Sequence, residues 1–299
     1  MASSFTIKLP KEDQASTGEF FRSHGFQMTE AEHAFWLALG PAVRVTFYRS
    51  GKLLIQGKEA DVWRGLLAEI TASAKPFQQA LSRHPKPAPR HWAGSDEAGK
   101  GDYFGPLVVA GVALERSQLE LLLEIGVDDS KTISDERILQ MDRPLRHICR
   151  SDVLMIGPAK YNELYQRIGN LNTLLAWAHA KVIETLLVES NGAVEWVLID
   201  RFAPERTMQR ALSRIDGLPQ VDQWPKAESD PAVGAASILA RAAFLRGMKA
   251  LSKRYGLGLP LGAGEKTLTA GHEFVQRHGR QQLHHVAKIH FSNTNKLGL

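Results

Sequence analysis

The segment SDEAGKGDYFGP, residues 95–106, places two adjacent carboxylates, Asp96 and Glu97, before a turn that contains Gly99, Lys100 and Gly101. Glycine lets backbone N–H groups approach a phosphate or sugar closely, and the lysine adds positive charge. Carboxylates that converge raise one another's pKa, and divalent metal ions with a preference for oxygen ligands remove that penalty. The segment therefore predicts a metal-ion site, with Mg²⁺ as the expected ion, beside a phosphate-binding turn.

A third carboxylate, Asp200, closes the apolar run VEWVLID. In α/β sheets ligands bind at the carboxyl ends of strands. Asp96 and Glu97 follow the short segment HWAG in the same way, so the three acids converge if the two segments are neighbouring strands. A structural role stays open for each of these acids, because a single Asp or Glu is commonly a helix cap or a surface charge. The glycine turn also lacks the spacing of a dinucleotide or Walker loop.

The elements that must position these acids alternate between strand and helix. Apolar runs of strand length occupy residues 105–114, 151–158 and 193–200. The segment 172–190 predicts a helix with one apolar face, formed by Leu174, Leu175, Ala178, Val182, Leu186 and Leu187. This alternation predicts an α/β layer architecture. Trp177 and Trp196 lie within these patterns and are predicted to pack in the core.

The N-terminal part predicts a separate small domain. Val43, Val45 and Phe47 alternate before a Ser-Gly turn at residues 50–51, which indicates a β-hairpin. Helical patterns at residues 16–25 and 59–74 flank the hairpin, so we expect an α+β domain on a curved antiparallel sheet. Its exposed face would be basic, although an ordinary solvated face is the alternative; the residues are Arg44, Arg49, Lys52 and Lys58. Residues 75–92 carry four prolines among basic residues and predict an exposed, stiff linker.

The amino-acid composition excludes several classes of protein. The 299 residues are 43% hydrophobic, which excludes a disordered chain, and the formal charge of +5 is compatible with a polyanionic partner. A single cysteine, Cys149, excludes an intramolecular disulfide and favours a reducing compartment. The five histidines of residues 271–291 lack a convincing zinc-ligand spacing and indicate a basic helix and loop. No apolar run has signal-peptide or membrane-span length, so we expect a soluble, cytoplasmic protein.

Several motifs in order along the chain resemble those of one family. They are DEAGKGDYFGPLVVAGV at 96–112, GVDDSKTISDERI at 126–138, LIDRFA at 198–203, KAESDPAVGAASILAR at 226–241 and AKIHFSNTNK at 287–296. Together they resemble the type 2 ribonucleases H, and in particular the ribonuclease HIII subclass. The N-terminal FYRSGKLLIQGK is similar to the TATA-binding-protein-like domain of that subclass.

The resemblance implies an RNase H-like catalytic domain over residues 92–299, with a mixed sheet flanked by helices. It also implies a TATA-binding-protein-like substrate-binding domain over residues 1–74, joined by the linker 75–91. The implied activity is hydrolysis of the RNA strand of RNA/DNA hybrids with Mg²⁺ or Mn²⁺, leaving 5′-phosphate and 3′-hydroxyl ends. The sequence leaves the oligomeric state open, and a monomer is the default expectation. No obligate protein partner or membrane is implied.

The resemblance also implies roles for particular residues. The metal-binding catalytic acids would be Asp96, Glu97, Asp200 and Glu228, with Asp230 two residues beyond the last of them. The substrate would contact Gly99, Lys100 and Gly101 through a ribose-phosphate, and Ser130 and Lys131 near the same cleft. Two alternatives remain: a ribonuclease HII-like enzyme that incises at single ribonucleotides embedded in DNA, and a non-catalytic nucleic-acid-binding protein whose catalytic half has decayed.

Overall fold

The structure is a computed structural model that describes residues 3–9, 11–127 and 133–298. The chain divides into two compact units, Met1–Ser73 and Ala74–Leu299. Both combine sheet and helix, as the sequence predicts. No helix among the described residues is both long enough and apolar enough to cross a membrane.

The first unit is built on an antiparallel sheet in the order β1-β5-β4-β3-β2. Its elements are β1 (Ser3–Lys8), α1 (Gln14–Ser23), β2 (Gln27–Thr29), β3 (Ala34–Leu39), β4 (Val43–Tyr48) and β5 (Lys52–Gly57). The predicted hairpin is confirmed, because β4 and β5 pair with Val45 opposite Ile55. Phe21, Trp36 and Phe47 are buried in the core of this unit. The four basic residues predicted for the exposed face, Arg44, Arg49, Lys52 and Lys58, are all exposed.

The helix α2 (Ala60–Ser82) extends into the segment that the prolines mark as a linker. Phe77 and Ala80 are buried, and so is His84, just beyond the helix. The expectation that this whole segment is exposed is therefore wrong. Apolar residues three positions apart on one helical face outweigh the signal of the prolines, which are concentrated after the helix at residues 85–89.

The second unit contains a mixed five-stranded sheet in the order β10-β9-β6-β7-β8. Its strands are β6 (His91–Ala98), β7 (Leu107–Glu115), β8 (Arg150–Ile156), β9 (Trp196–Asp200) and β10 (Gln220–Trp224). The central strand β6 pairs antiparallel with β7 and parallel with β9. The predicted α/β layer architecture is confirmed.

Helices cover both faces of this sheet. They are α3 (Leu119–Ile125), α4 (Asp135–Ile148), α5 (Pro158–Ile168), α6 (Leu171–Glu189), α7 (Glu205–Leu212), α8 (Pro231–Tyr255), α9 (Glu265–His278) and α10 (Ser292–Lys296). Successive strand residues point to opposite faces, so Trp92 packs in the cluster with α4 and α8, and Ala93 in the cluster with α6 and α7. Gly94 lets α8 approach closely, because a Cβ there would lie 2.4 Å from the Val233 nitrogen.

Candidate active site

The carboxylates predicted from sequence lie at one edge of the sheet in the second unit. Strands β6 and β9 are parallel neighbours, and their last paired residues are Ser95 and Ile199. Asp96 and Asp200 follow directly and so occupy equivalent positions at the strand ends. The expected adjacency of the two segments is confirmed. One detail differs, since β6 extends to Ala98 and carries Asp96 within the strand, where it also pairs with Ala110 of β7.

Asp96 is crowded by other acids. Burial, together with the nearby carboxylates of Glu97 and Asp200, raises the pKa of the Asp96 carboxyl to about 8. Hydrogen bonds to the Glu97 backbone N–H, 2.7 Å from Oδ1, and to the Ser237 side chain only partly offset it. Like charges held together in a partly buried site are the arrangement that a bound cation stabilises.

Glu97 has the opposite electrostatic environment. Burial opposes its ionisation, but His179 and Lys100 outweigh that effect and lower the pKa of the Glu97 carboxyl. His179 Nε2 lies 3.3 Å from Oε2, and Lys100 Nζ lies 3.4 Å from Oε1. This carboxylate is therefore anionic and fixed in direction by a group on each oxygen.

His179 is itself held in place on α6. Its side chain is fully buried, and its Nδ1 lies 2.8 Å from the Ser95 hydroxyl. The ring stacks on Phe202 with centroids 4.7 Å apart. When Nε2–H donates to Glu97, Nδ1 of a neutral ring accepts from Ser95, so one tautomer serves both contacts. Sequence reasoning missed His179, because a lone histidine in an apolar helix carries no signal of its partner.

Asp200 connects the sheet to the segment that carries Glu228. Its Oδ1 accepts a hydrogen bond of 2.8 Å from the backbone N–H of Ala227. Ala227 begins the short 3₁₀ helix Ala227–Ser229, and Lys226 before it adopts a left-handed backbone with φ of 57°. This uncommon conformation for a non-glycine residue turns the chain towards the strand ends. Glu228 is half-buried beside this turn.

Asp230 has a structural role instead. It is fully buried and caps the N-terminus of α8, where its Oδ1 accepts from the N–H groups of Ala232 and Val233. The same oxygen lies 3.2 Å from the Trp92 indole nitrogen, and Oδ2 lies 2.7 Å from His84 Nε2. These contacts make Asp230 a helix cap within a buried polar cluster. Its two oxygens are therefore occupied by these contacts, and Glu228 is the other, only half-buried acid of this segment.

The residue types suit divalent metal ions, although the side-chain positions do not form a ready-made site. Across the described parts of the chain, no group of three or more His, Cys, Asp or Glu side chains is arranged to hold a metal ion. The predicted metal cluster is thus not found as such, because Glu97 is directed towards His179 and Lys100, and Asp200 towards Ala227. The donors are nonetheless carboxylate oxygens, the ligands that Mg²⁺ and Mn²⁺ prefer, and the raised pKa of Asp96 marks charge crowding that such ions relieve.

The glycine turn follows the acids directly. Gly99 has a φ of +84°, and a Cβ there would lie 2.3 Å from the Pro106 carbonyl, so a larger residue does not fit. Gly101 is exposed and has open space around it. Lys100 extends over the Phe202 ring with its Nζ 5.6 Å from the centroid. The turn therefore presents an accessible backbone and one cation beside Glu97.

The turn is supported from beneath by a buried lysine that sequence reasoning missed. Lys288 is fully buried, and its Nζ donates to the carbonyl oxygens of Asp102 at 2.8 Å, Gly105 at 2.9 Å and Phe104 at 3.4 Å. Burial lowers the pKa of Lys288 to about 7. Three carbonyl acceptors match the three donors of an ammonium group, which favours the charged form. Tyr103 and Phe104 are also buried, so they pack under the turn.

A cleft of about 340 Å³ opens next to the acids, lined by Glu97, Gly99, Asp135, Ser237 and Arg241 among others. Arg241 pairs with Asp135 through two contacts of 3.0 and 3.2 Å. The predicted substrate contacts Ser130 and Lys131 lie outside the described residues.

Comparison with known proteins identifies the family of this chain. The family model described as "Ribonuclease HII" matches residues 93–294, which include all the carboxylates above. Ribonuclease HIII of Protochlamydia amoebophila is 38% identical over 278 residues, covering 92% of this chain and 90% of the relative. Ribonuclease HIII of Chlamydia pneumoniae is 36% identical over 295 residues, covering 98% and 97%.

Solved structures agree. A crystal structure of Bst-RNase HIII in complex with Mn²⁺ superposes with a TM-score of 0.68 at 31% identity, covering 99% of this chain and 98% of that one. RNase HII in its PCNA complex from Archaeoglobus fulgidus gives a TM-score of 0.58 at 31% identity, covering 69% and 96%. The fold and the matched residues define a type 2 ribonuclease H. The chain belongs to the ribonuclease HIII subclass of this family, and it is a ribonuclease H enzyme.

Proposed function

We propose that this enzyme is an endonuclease that hydrolyses the RNA strand of RNA/DNA hybrids with two divalent metal ions, leaving 5′-phosphate and 3′-hydroxyl ends. The observation that carries the proposal is the placement of Asp96 and Asp200 at equivalent positions, directly after the last paired residues of two adjacent parallel strands in a ribonuclease H fold. Mg²⁺ is the proposed physiological ion, with Mn²⁺ as a substitute, and the related Bst-RNase HIII was solved with Mn²⁺.

Bound divalent ions would activate the attacking water and stabilise the leaving oxygen. The protein's contribution is to place the ligands. Asp96, Asp200 and Glu228 would hold the ions together with Glu97, whose orientation is set by His179 and Lys100. The Ala227 N–H donates a hydrogen bond to Asp200 and so connects strand β9 to the 3₁₀ helix that carries Glu228. This contact would hold the two proposed ligands, Asp200 and Glu228, in a fixed relative position.

The turn of Gly99, Lys100 and Gly101 would bind the ribose-phosphate at the cleavage point. The open surroundings of Gly101 let a strand reach the backbone, and Lys100 supplies a cation. Contacts to the 2′-hydroxyl are what distinguish RNA from DNA at such a position. Ser130 and Lys131 are proposed as further substrate contacts, and a phosphate contact is the role proposed for Lys131.

We assign binding of the hybrid backbone to the first unit. Arg44, Arg49, Lys52 and Lys58 are exposed on or beside β4 and β5. Contacts from such residues to phosphates are independent of sequence and weaken as salt increases. Arg44→Glu with Lys52→Glu in the full chain should raise the Michaelis constant for hybrid more than it lowers kcat. An unchanged Michaelis constant would show that these basic residues of the first unit do not bind the hybrid backbone.

A cleavage assay on matched RNA/DNA, RNA/RNA and DNA/DNA duplexes tests the proposal. We expect cleavage of the RNA strand of the hybrid only, in Mg²⁺ or Mn²⁺ and not with chelator, with a 5′-phosphate on the product. A duplex with a single embedded ribonucleotide belongs in the same panel, because the catalytic unit matches the ribonuclease HII family model. Preferential cutting at that ribonucleotide would favour the HII-like activity, and hybrid binding without metal-dependent cleavage would favour a binding protein.

A further inference from the structure

A second cleft lies between α6 and α7, with a volume of about 290 Å³. Its lining residues include Trp177, Lys181, Glu184, Arg206, Arg210 and Arg214. None of the catalytic acids lines it. The cleft therefore needs an explanation of its own.

The cleft carries an excess of positive charge. Arg206 and Arg210 lie one helical turn apart on α7, and Arg214 follows in the turn beyond the helix, so the three cations form a row. All three are exposed, and none of them forms an ion pair with a carboxylate within the described residues. Lys181 is paired with Glu184 at 2.7 Å, so this pair adds no net charge. A row of unneutralised guanidinium groups matches the regularly spaced charges of a phosphate backbone.

An aromatic ring lies beside these cations. Trp177 on α6 is 38% exposed, which contradicts the expectation from its helical pattern that it packs in the core. Trp196, predicted in the same way, is buried as expected. An exposed indole next to cations is the combination that binds unpaired nucleic acid, because bases stack on the ring while phosphates contact the charges. A base within a duplex is already stacked and paired, so the indole selects a single strand.

The two helices that form this cleft lie near the proposed catalytic acids. His179 on α6 contacts Glu97, and α7 begins five residues after Asp200. Phe202, between Asp200 and α7, stacks on His179. Since the chain spans at most about 3.5 Å per residue, Arg206 lies no more than about 20 Å from Asp200. A strand that leaves the catalytic edge therefore needs only a few nucleotides to reach the row of arginines.

We propose that the α6–α7 cleft binds a single-stranded nucleic acid segment that flanks the hybrid, with its phosphates on Arg206, Arg210 and Arg214 and one base stacked on Trp177. The inference rests on the proposed function, since it assigns to this enzyme hybrids that continue into unpaired strand. It adds a substrate feature that neither the carboxylate edge nor the first unit provides.

The test measures binding of the full chain, in chelator to prevent cleavage, to a short blunt hybrid and to the same hybrid with a single-stranded extension at its 5′ or 3′ end. We expect the wild-type protein to bind one extended hybrid about tenfold more tightly than the blunt one, equivalent to about 1.4 kcal/mol. Trp177→Ala and the combined Arg206→Ala, Arg210→Ala and Arg214→Ala variant should each lose this preference and bind the blunt hybrid as before.

Two matched variants serve as controls. Trp177→Phe keeps an aromatic ring and should retain most of the preference. Arg143→Ala removes an exposed arginine of α4 that forms no ion pair in the described structure, and should behave as wild type, in contrast to Arg210→Ala. Equal binding of blunt and extended hybrids by the wild-type protein would overturn the proposal. So would an Arg143→Ala loss equal to that of Arg210→Ala.

Competition with inorganic polyphosphate provides a further test, because this polymer has the regularly spaced negative charges of a nucleic acid strand but no bases. If it competes with the extension as well as single-stranded DNA does, and Trp177→Ala has no effect, the cleft is a simple anion site and the stacking proposal is wrong. Failure of the catalytic proposal is recognised separately, as a lack of cleavage of the blunt hybrid in Mg²⁺ and Mn²⁺. A preference for the extended hybrid would persist in that case.

Discussion

Two carboxylates only two residues apart, Glu228 and Asp230, belong to two different kinds of polar region. Asp230 lies in a closed cluster, fully buried, with His84, Trp92 and two backbone N–H groups around it. Glu228 is only half-buried, and it lies on the 3₁₀ helix whose Ala227 N–H donates to Asp200, one of the carboxylates that raise the pKa of Asp96. A buried polar group with a full set of partners stabilises the fold, whereas crowded acids near solvent indicate a place for a ligand.

Lys288 belongs to the closed, buried kind of polar region, although it lies below the glycine turn of the open site. Its ammonium group contacts three backbone carbonyls and fixes the path of residues 102–105. The accessible part of the site is thus built on a rigid base. This difference between the two kinds of polar region leads to a prediction. Substitutions in the open region should lower catalytic activity, and substitutions in the closed regions should mainly lower the free energy of unfolding.

The largest expected effect is on catalysis from the open region. Asp96→Asn or Asp200→Asn should reduce cleavage of an RNA/DNA hybrid by at least about 1000-fold, about 4 kcal/mol of barrier, while hybrid binding is retained. The raised pKa means that the fold disfavours the ionised Asp96 carboxyl, so the neutral side chain of Asp96→Asn should leave the free energy of unfolding no lower than that of the wild type. Near-normal turnover in either variant would refute the assignment of these acids.

The neighbouring pair provides the sharpest contrast. Asp230→Ala breaks the buried contact with His84 and the cap of α8, so unfolding in urea should show a loss of about 3 to 5 kcal/mol. Glu228→Gln, at a half-buried position, should cost less stability than Asp230→Ala and still lose activity. If Glu228→Gln were fully active and Asp230→Asn folded but inactive, the two roles would have to be exchanged.

Lys288→Met tests the base of the turn. It leaves three buried carbonyl groups without their donor, so we expect a loss of about 2 to 3 kcal/mol in unfolding free energy. Lys296→Met, an exposed lysine of α10, is the matched control and should be neutral. Equal stability of the two variants would mean that Lys288 does not support the turn.

The smallest expected effect concerns Glu97, which shares features of both regions. His179→Ala removes the group that orients this carboxylate, and should weaken Mn²⁺ binding by about 10- to 100-fold in calorimetry. His179→Asn retains a side-chain donor and should recover part of the loss. If His179→Ala left the Mn²⁺ affinity unchanged, the contact between His179 and Glu97 would have a structural role and would not support metal binding.

Much of the fold followed from local patterns. The hairpin around Ser50–Gly51, the helix at residues 172–190 and the strands before Asp96 and Asp200 are all present, because period and apolar run length act within short segments. Prediction failed where packing outweighed local composition. The proline-rich segment contributes buried Phe77 and His84, and Trp177 is exposed in spite of its helical pattern.

The sequence by itself determined that carboxylates follow two short strand-like segments next to a glycine turn, and which family such motifs resemble. Only the tertiary structure decided which polar groups meet. His179 and Glu97 are 82 residues apart, and His84 and Asp230 are 146 apart. Such contacts depend on how α6, α8 and the sheet pack together, since a hydrogen bond requires its atoms within about 3.5 Å and no local pattern specifies a distant partner.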